Sequence, residues 1–168
     1  MRRRFLIACA ASLLPVVAAA QATATAEVQA TVVSALALTR TGTTDFGTFD
    51  NHAHVESINP AGPAAGQSTA QFSAVGASGA SILITFDASV TLCLAAGCAA
   101  GTMTFTPNVA SSQADNQPGA TPNLLTGSAV QLSTNGSHFF WLGGTLAVNT
   151  NQQTGAYSGV FSMSVSYQ

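Results

Sequence analysis

The chain has 168 residues, 47% of them hydrophobic and 6% charged, with a formal charge of −2. Three of its four basic residues (Arg2, Arg3, Arg4) lie in a removable leader, so Arg40 is left as the one Lys or Arg against six acids, a formal charge of −5. A single cation gives no electrostatic footprint for phosphate backbones or anionic lipid, which excludes nucleic-acid binding, and so apolar a chain lacks the composition of a disordered one.

The leader is read from residues 5–17, an apolar run after the arginines, followed by Ala18, Ala19, Ala20 and Ala22. A charged head, an apolar middle and a small-residue exit make a secretory signal peptide over residues 1–22, cut after Ala20 or Ala22. The apolar run is short for a membrane span and no later stretch is longer, so no membrane insertion is expected. Leu6-Ile7-Ala8-Cys9 stands before the apolar core and not after it, which argues against a lipid anchor. Residues 23–168 are then expected to form one exported domain.

Residues 22–32 alternate small apolar side chains (Ala24, Ala26, Val28, Ala30, Val32) with polar ones, as a strand does, and Leu36 and Leu38 continue the parity. Asp45-Phe46-Gly47-Thr48-Phe49 reads as a short strand with a bend. Asn59-Pro60-Ala61-Gly62-Pro63 marks a loop. A strand is expected over residues 70–75, and Ile82-Leu83-Ile84-Thr85-Phe86 is short and apolar enough for a buried one. Val90-Thr91-Leu92 and Met103-Thr104-Phe105 flank the two cysteines that outlast the leader and are expected to pair.

Cys93 and Cys98, with four residues between them in an oxidising compartment, read as a local disulfide, with Gly97 free to take positive φ. Residues 108–123, rich in Asn, Gln, Ser, Pro and Gly, suggest a long surface loop. Gln131-Leu132, residues 138–142 and Thr145-Leu146-Ala147-Val148 supply further strands. In the last fourteen residues Tyr157, Gly159, Phe161, Met163, Val165 and Tyr167 share one parity, and serines occupy the other with only Val160 breaking the rule. This segment, from Gly155, predicts a strand with one apolar face. Many short strands, Gly and Asn punctuation and no 3.6-residue apolar period predict an all-β antiparallel sandwich.

Candidate chemistry is sparse. His52-Ala53-His54 would place two imidazoles on one strand face, where Asp45, Asp50, Glu56 and His138 could complete a Cu or Zn site. Against this, Asn51, Pro60 and Gly62 suggest a loop. Val75-Gly76-Ala77-Ser78-Gly79 misses the Gly-x-Ser-x-Gly pattern, and Asp45-Phe46-Gly47 has neither a phosphate loop nor a partner Lys, so no enzyme and no cofactor are expected. His138-Phe139-Phe140-Trp141 reads as a core strand with Phe139 or Phe140 and Trp141 inward, the alternative being a ligand-stacking patch. Asn135-Gly136-Ser137 is both a glycosylation sequon and a hairpin turn signal.

Trp141-Leu142-Gly143-Gly144-Thr145-Leu146-Ala147-Val148, Gln153, Gly155-Ala156-Tyr157-Ser158-Gly159 and the alternating tail resemble the bacterial secreted family called domain of unknown function 4402. Leu36-Ala37-Leu38-Thr39 and Asp45-Phe46-Gly47-Thr48 are similar to its early motif. Related fimbrial (pilin) and spore-coat U-type proteins end similarly, and Gly155 and Tyr167 stand where periplasmic chaperones grip pilin subunits. The resemblance implies an immunoglobulin-like sandwich, either complete or short of one strand, in the periplasm or on the surface of a Gram-negative bacterium. It also implies β-strand complementation with a periplasmic chaperone and with neighbouring subunits. On that reading residues 23–33 are a donor or first strand, with Ala24, Ala26, Val28, Ala30 and Val32 as pocket fillers. The expected function is a fimbrial-type structural or surface subunit; the alternative is a periplasmic protein binding metal through His52 and His54.

Overall fold

The computed structural model describes residues 26–168, so the expected leader and Ala24 lie outside the described residues. Two units meet at residue 32. In the first, residues 26–31 are exposed and form no strand, and Val32 and Val33 at the start of the second are 95% and 55% exposed. The alternation over residues 22–32 therefore does not produce a strand in its described part. Methyl groups on alternate positions give a strand little to bury, and Ala is a poor strand former.

The second unit is all-β. Its strands are β1 (Ala37–Thr41), β2 (His54–Ile58), β3 (Ala70–Val75), β4 (Ser81–Phe86), β5 (Val90–Cys93), β6 (Thr102–Ser112), β7 (Thr121–Leu124), β8 (Ser128–Gln131), β9 (Ser137–Val148) and β10 (Met163–Tyr167). Every pairing is antiparallel. A seven-stranded sheet runs β1-β3-β9-β6-β5, with β2 beside β9 and β7 beside β6, and a three-stranded sheet runs β10-β4-β8. Ile82 and Ile84 of β4 pack against Ala74, Phe72, Phe140 and Leu142 of the large sheet in one core. The result is an antiparallel β-sandwich, as the strand pattern predicts, and it is immunoglobulin-like, as the resemblance implies.

Strand β9 organises the large sheet. Its first half pairs with β3 as far as Ala70–Leu142, its second half pairs with β2 from Ile58–Gly144, and β6 runs along its other edge. Gly143 and Gly144 occupy the handover. A Cβ on Gly143 would overlap the Ile58 carbonyl, and one on Gly144, at φ +146°, would overlap the Thr106 carbonyl. The glycines let three backbones converge without ending the strand, so the two strands expected over residues 138–148 are one. Phe140 and Leu142 face the main core, while Trp141 turns to the opposite face. There it packs with Ala110 and Ala120 and lies against Phe139 at a ring separation of 6.3 Å. Trp141 is thus buried with a neighbouring Phe, as expected of a core strand, but in a smaller cluster on the face opposite the main core. Trp141 is 3% exposed, so the indole is no stacking platform for a ligand.

Three further differences have local causes. Residues 108–123 are not one long loop: β6 continues to Ser112 and β7 begins at Thr121. Asn108 and Asn123 exchange side-chain hydrogen bonds across these strands, so the amides that signal a loop support a ladder here. Residues 45–49 hold a single bridge, Asp45 to Ser68, and no strand. Asn135-Gly136 does form a tight turn, with Gly136 at φ +75°, but it carries the chain from β8 in one sheet to β9 in the other and is not a hairpin.

The C-terminal apolar face keeps its parity but not its continuity. Phe161, Met163, Val165 and Tyr167 are half-buried, with exposed serines between them. Only residues from Met163 onward are a strand, paired with β4 through Met163–Phe86 and Tyr167–Ile82. Before it, Ser158 bridges Cys93 at the end of β5, with N–H to carbonyl distances of 2.8 and 3.0 Å. From Phe86 to Cys93 is seven steps, while Met163 to Ser158 is five, so the β4–β5 side carries two extra residues and bends. That bend takes the pair from the small sheet to the edge of the large one.

Candidate functional site

A cleft of 580 Å³ opens between the sheets where the small one stops short. Its floor is the inner face of the large sheet: Phe72 of β3, Phe105 of β6, and Leu142 and Leu146 of β9. One wall is the chain that continues β1, from Arg40 through Phe46 and Phe49; the other is residues 155–161, which lead into β10. Apart from Arg40, which is in β1, both walls are irregular backbone. The first is tied by the Asp45–Ser68 bridge and by the Thr44 hydroxyl, which donates to the Leu142 carbonyl at 2.9 Å. The second is held by the Ser158–Cys93 bridge and by Tyr157, whose hydroxyl donates to the Gln153 carbonyl at 2.8 Å.

Gly155, Tyr157, Gly159 and Phe161 of the C-terminal segment all line this cleft. Gly155, at φ +147°, and Gly159 lie where a Cβ would strike Leu94 and Leu92, so small residues let this wall approach β5. Phe161 packs its ring near Phe72 and Phe86, at 5.9 and 6.0 Å. Met163, Val165 and Tyr167 continue past the cleft over the core. The Tyr167 hydroxyl donates to the Ser34 carbonyl at 2.7 Å and accepts from the Ala77 N–H at 2.6 Å, fastening β10 to the chain ahead of β1.

Sequence reasoning missed the opposite wall. Leu36 and Leu38 face the core, and Arg40 shares their parity, which places the single cation outside the expected leader at the cleft. Among the described residues Arg40 has no carboxylate within ion-pair distance; the ion pairs all involve His52 or His54. The parity was readable, but a strand-edge arginine is ordinarily taken as a solvated residue.

The disulfide forms as expected, joining Cys93 and Cys98 with Cα atoms 4.8 Å apart and Gly97 at φ +73°. It closes the β5–β6 connection at the residue that bridges Ser158.

The histidine cluster lies apart from the cleft floor, at the start of β2. The His54 Nδ1–H donates to the His52 carbonyl at 2.7 Å and its Nε2–H donates to Glu56 Oε1 at 3.0 Å. Asp50 Oδ1 lies 3.3 Å from His52 Nδ1 and 3.7 Å from His54 Nδ1. The His52 carbonyl, then Glu56 and Asp50, raise the His54 pKa above its ordinary value. An imidazole with acceptors at both nitrogens favours the imidazolium, which has no lone pair for a metal. Asp45 and His138 do not join it: Asp45 accepts from the Gly47 N–H, and His138 is buried on Phe140 with Nδ1–H donating to the Gln131 carbonyl. Among the described residues no three His, Cys, Asp or Glu side chains converge as metal ligands.

A comparison with curated proteins finds no match. A family model described as "Domain of unknown function (DUF4402)" matches residues 19–167, and the chain belongs to that family.

Proposed function

We propose that this DUF4402 member is an exported, non-enzymatic structural subunit of fimbrial type, which assembles or adheres through β-strand complementation. The observation that carries the reading is the cleft: an apolar floor inside a sandwich whose covering sheet has three strands against seven, flanked by β1's continuation and the approach to β10. A strand lying in such a gap would gain backbone hydrogen bonds at its rims and pockets for alternate side chains. Support also comes from the last strand, whose apolar residues are half-buried although Ile82 and Ile84 of the neighbouring strand β4 are 0% exposed. Val28 at 91% exposure and Val32 at 95% supply apolar side chains on one parity in an unpaired segment. The partners on this reading are neighbouring subunits and a periplasmic chaperone, which would hold the cleft covered before assembly.

The test is to compare the protein beginning at Thr23 with a form lacking residues 23–33, adding a peptide of those residues to each. The reading predicts that the shortened form is less stable and that the peptide restores it. A shortened protein of unchanged stability that ignores the peptide would overturn strand complementation.

A further inference from the structure

We infer that Arg40 and Glu27 form an ion pair between two copies of this chain, fixing which way and how far residues 26–33 of one copy enter the cleft of the next. The inference rests on strand complementation as proposed above and adds the residue pair that sets its register.

Arg40 and Glu27 stand apart from the other charged residues. Outside the expected leader the chain has one cation, Arg40, and six carboxylates. Five carboxylates are engaged within the sandwich. Asp45 accepts from the Gly47 N–H, Asp50 from the His52 N–H, Glu56 from His54, Asp87 from the Ser162 N–H and Asp115 from the Gln71 side chain. Glu27 is different. Among the described residues its carboxylate accepts only from Gln29 Nε2, two residues along its own segment. The remaining carboxylate is thus in the segment that carries Val28 and Val32, and the unpaired guanidinium is on the cleft.

The geometry suits a contact at the rim. Arg40 shares the core-facing parity of Leu36 and Leu38, yet it is exposed, so its side chain stands where the cleft opens. Glu27 has the parity opposite to Ala26 and Val28. When those enter the cleft, Glu27 stays at its edge. An edge strand with an inward-parity charge also resists indiscriminate pairing, so Arg40 would reject strands without a matching acid while accepting this one.

The experiment uses the chain from Thr23 and a fluorescent peptide of residues 23–34. Binding of the peptide and sedimentation of the protein are measured for wild type, Arg40→Glu, Arg40→Gln, Glu27→Arg, the double variant, and an equimolar mixture of Arg40→Glu with Glu27→Arg. The expected result is that Arg40→Glu weakens the wild-type peptide by roughly three- to tenfold, less at high salt, as for a partly exposed pair. A peptide with Glu27→Arg should recover binding to that variant, and mixing the two single variants should restore assembly that neither shows alone. Equal binding of the peptide to all variants overturns the charge pair and leaves complementation standing. Rescue in the double variant without rescue in the mixture assigns the contact to a single chain and overturns the two-copy pair. No binding of the peptide to any form overturns the inference together with the reading beneath it.

Discussion

Gly144 shows how much of this fold turns on single residues. Its φ of +146° and the Thr106 carbonyl where its Cβ would stand leave no room for a side chain at the point where β9 changes partner. Gly144→Ala is expected to cost about 2 kcal/mol or more, measured by urea unfolding, because strain and a backbone clash act together. His138 is 6% exposed, and burial pushes its pKa down, against a smaller opposing effect of the Gln131 carbonyl. The unfolded ring takes a proton near pH 6.5, so stability should fall as pH drops below about 6.5 towards the depressed native value, by at most about 1.4 kcal/mol per pH unit. His54 has the opposite sign: its pKa is raised, so its contribution is present below about pH 6.5 and lost as pH climbs through the raised value. Urea unfolding at pH 5 and pH 7.5 should therefore show a smaller acid loss in His138→Gln and a larger one in His54→Gln. Equal acid losses in both variants and the wild type would contradict these assignments.

At the scale of elements, what the sequence made legible follows burial. Residues 70–75 and the pair flanking the cysteines are strands where expected, with Val90 opposite Phe105 and Leu92 opposite Met103. Their apolar side chains alternate or run together because they are covered by the other sheet. Legibility failed where backbone geometry, not apolar pattern, decides: at Gly143 and Gly144 inside β9, and at Asn108 and Asn123, whose amides bridge two strands. It failed also where an alternating pattern had nothing to cover it, as in residues 26–32. The cleft was half-legible, since the C-terminal parity exposed one wall while Phe46 and Phe49 of the other sit in irregular chain. Two element-scale predictions follow from how β10 and β5 are fastened. Tyr167→Phe removes both hydroxyl contacts, to Ser34 and Ala77, and should cost about 1–2 kcal/mol with faster amide exchange at Ala77. Replacing Cys93 and Cys98 by Ala opens a short loop and should cost about 2 kcal/mol, with faster exchange at the Ser158 amide that bonds Cys93. Thermal or urea unfolding with hydrogen exchange reads both.

For the molecule as a whole, the sandwich is asymmetric, and the proposed function lives in that asymmetry. The large sheet's inner face extends beyond the small sheet, leaving 580 Å³ bounded by the two irregular walls. Filling it with Val28 and Val32 would bury side chains now more than nine-tenths exposed, each giving about 1.5–3 kcal/mol at full burial. Ala26 and Ala30, on the same parity, contribute much less, so assembly depends on backbone pairing and on the two valines. The most direct measurement is sedimentation of the chain beginning at Thr23 across a hundredfold concentration range, beside Val28→Asp/Val32→Asp. Strand complementation between copies predicts wild-type species that grow with concentration while the double variant stays a monomer. A wild type that remains a monomer throughout, and is as stable as the variant, would contradict it.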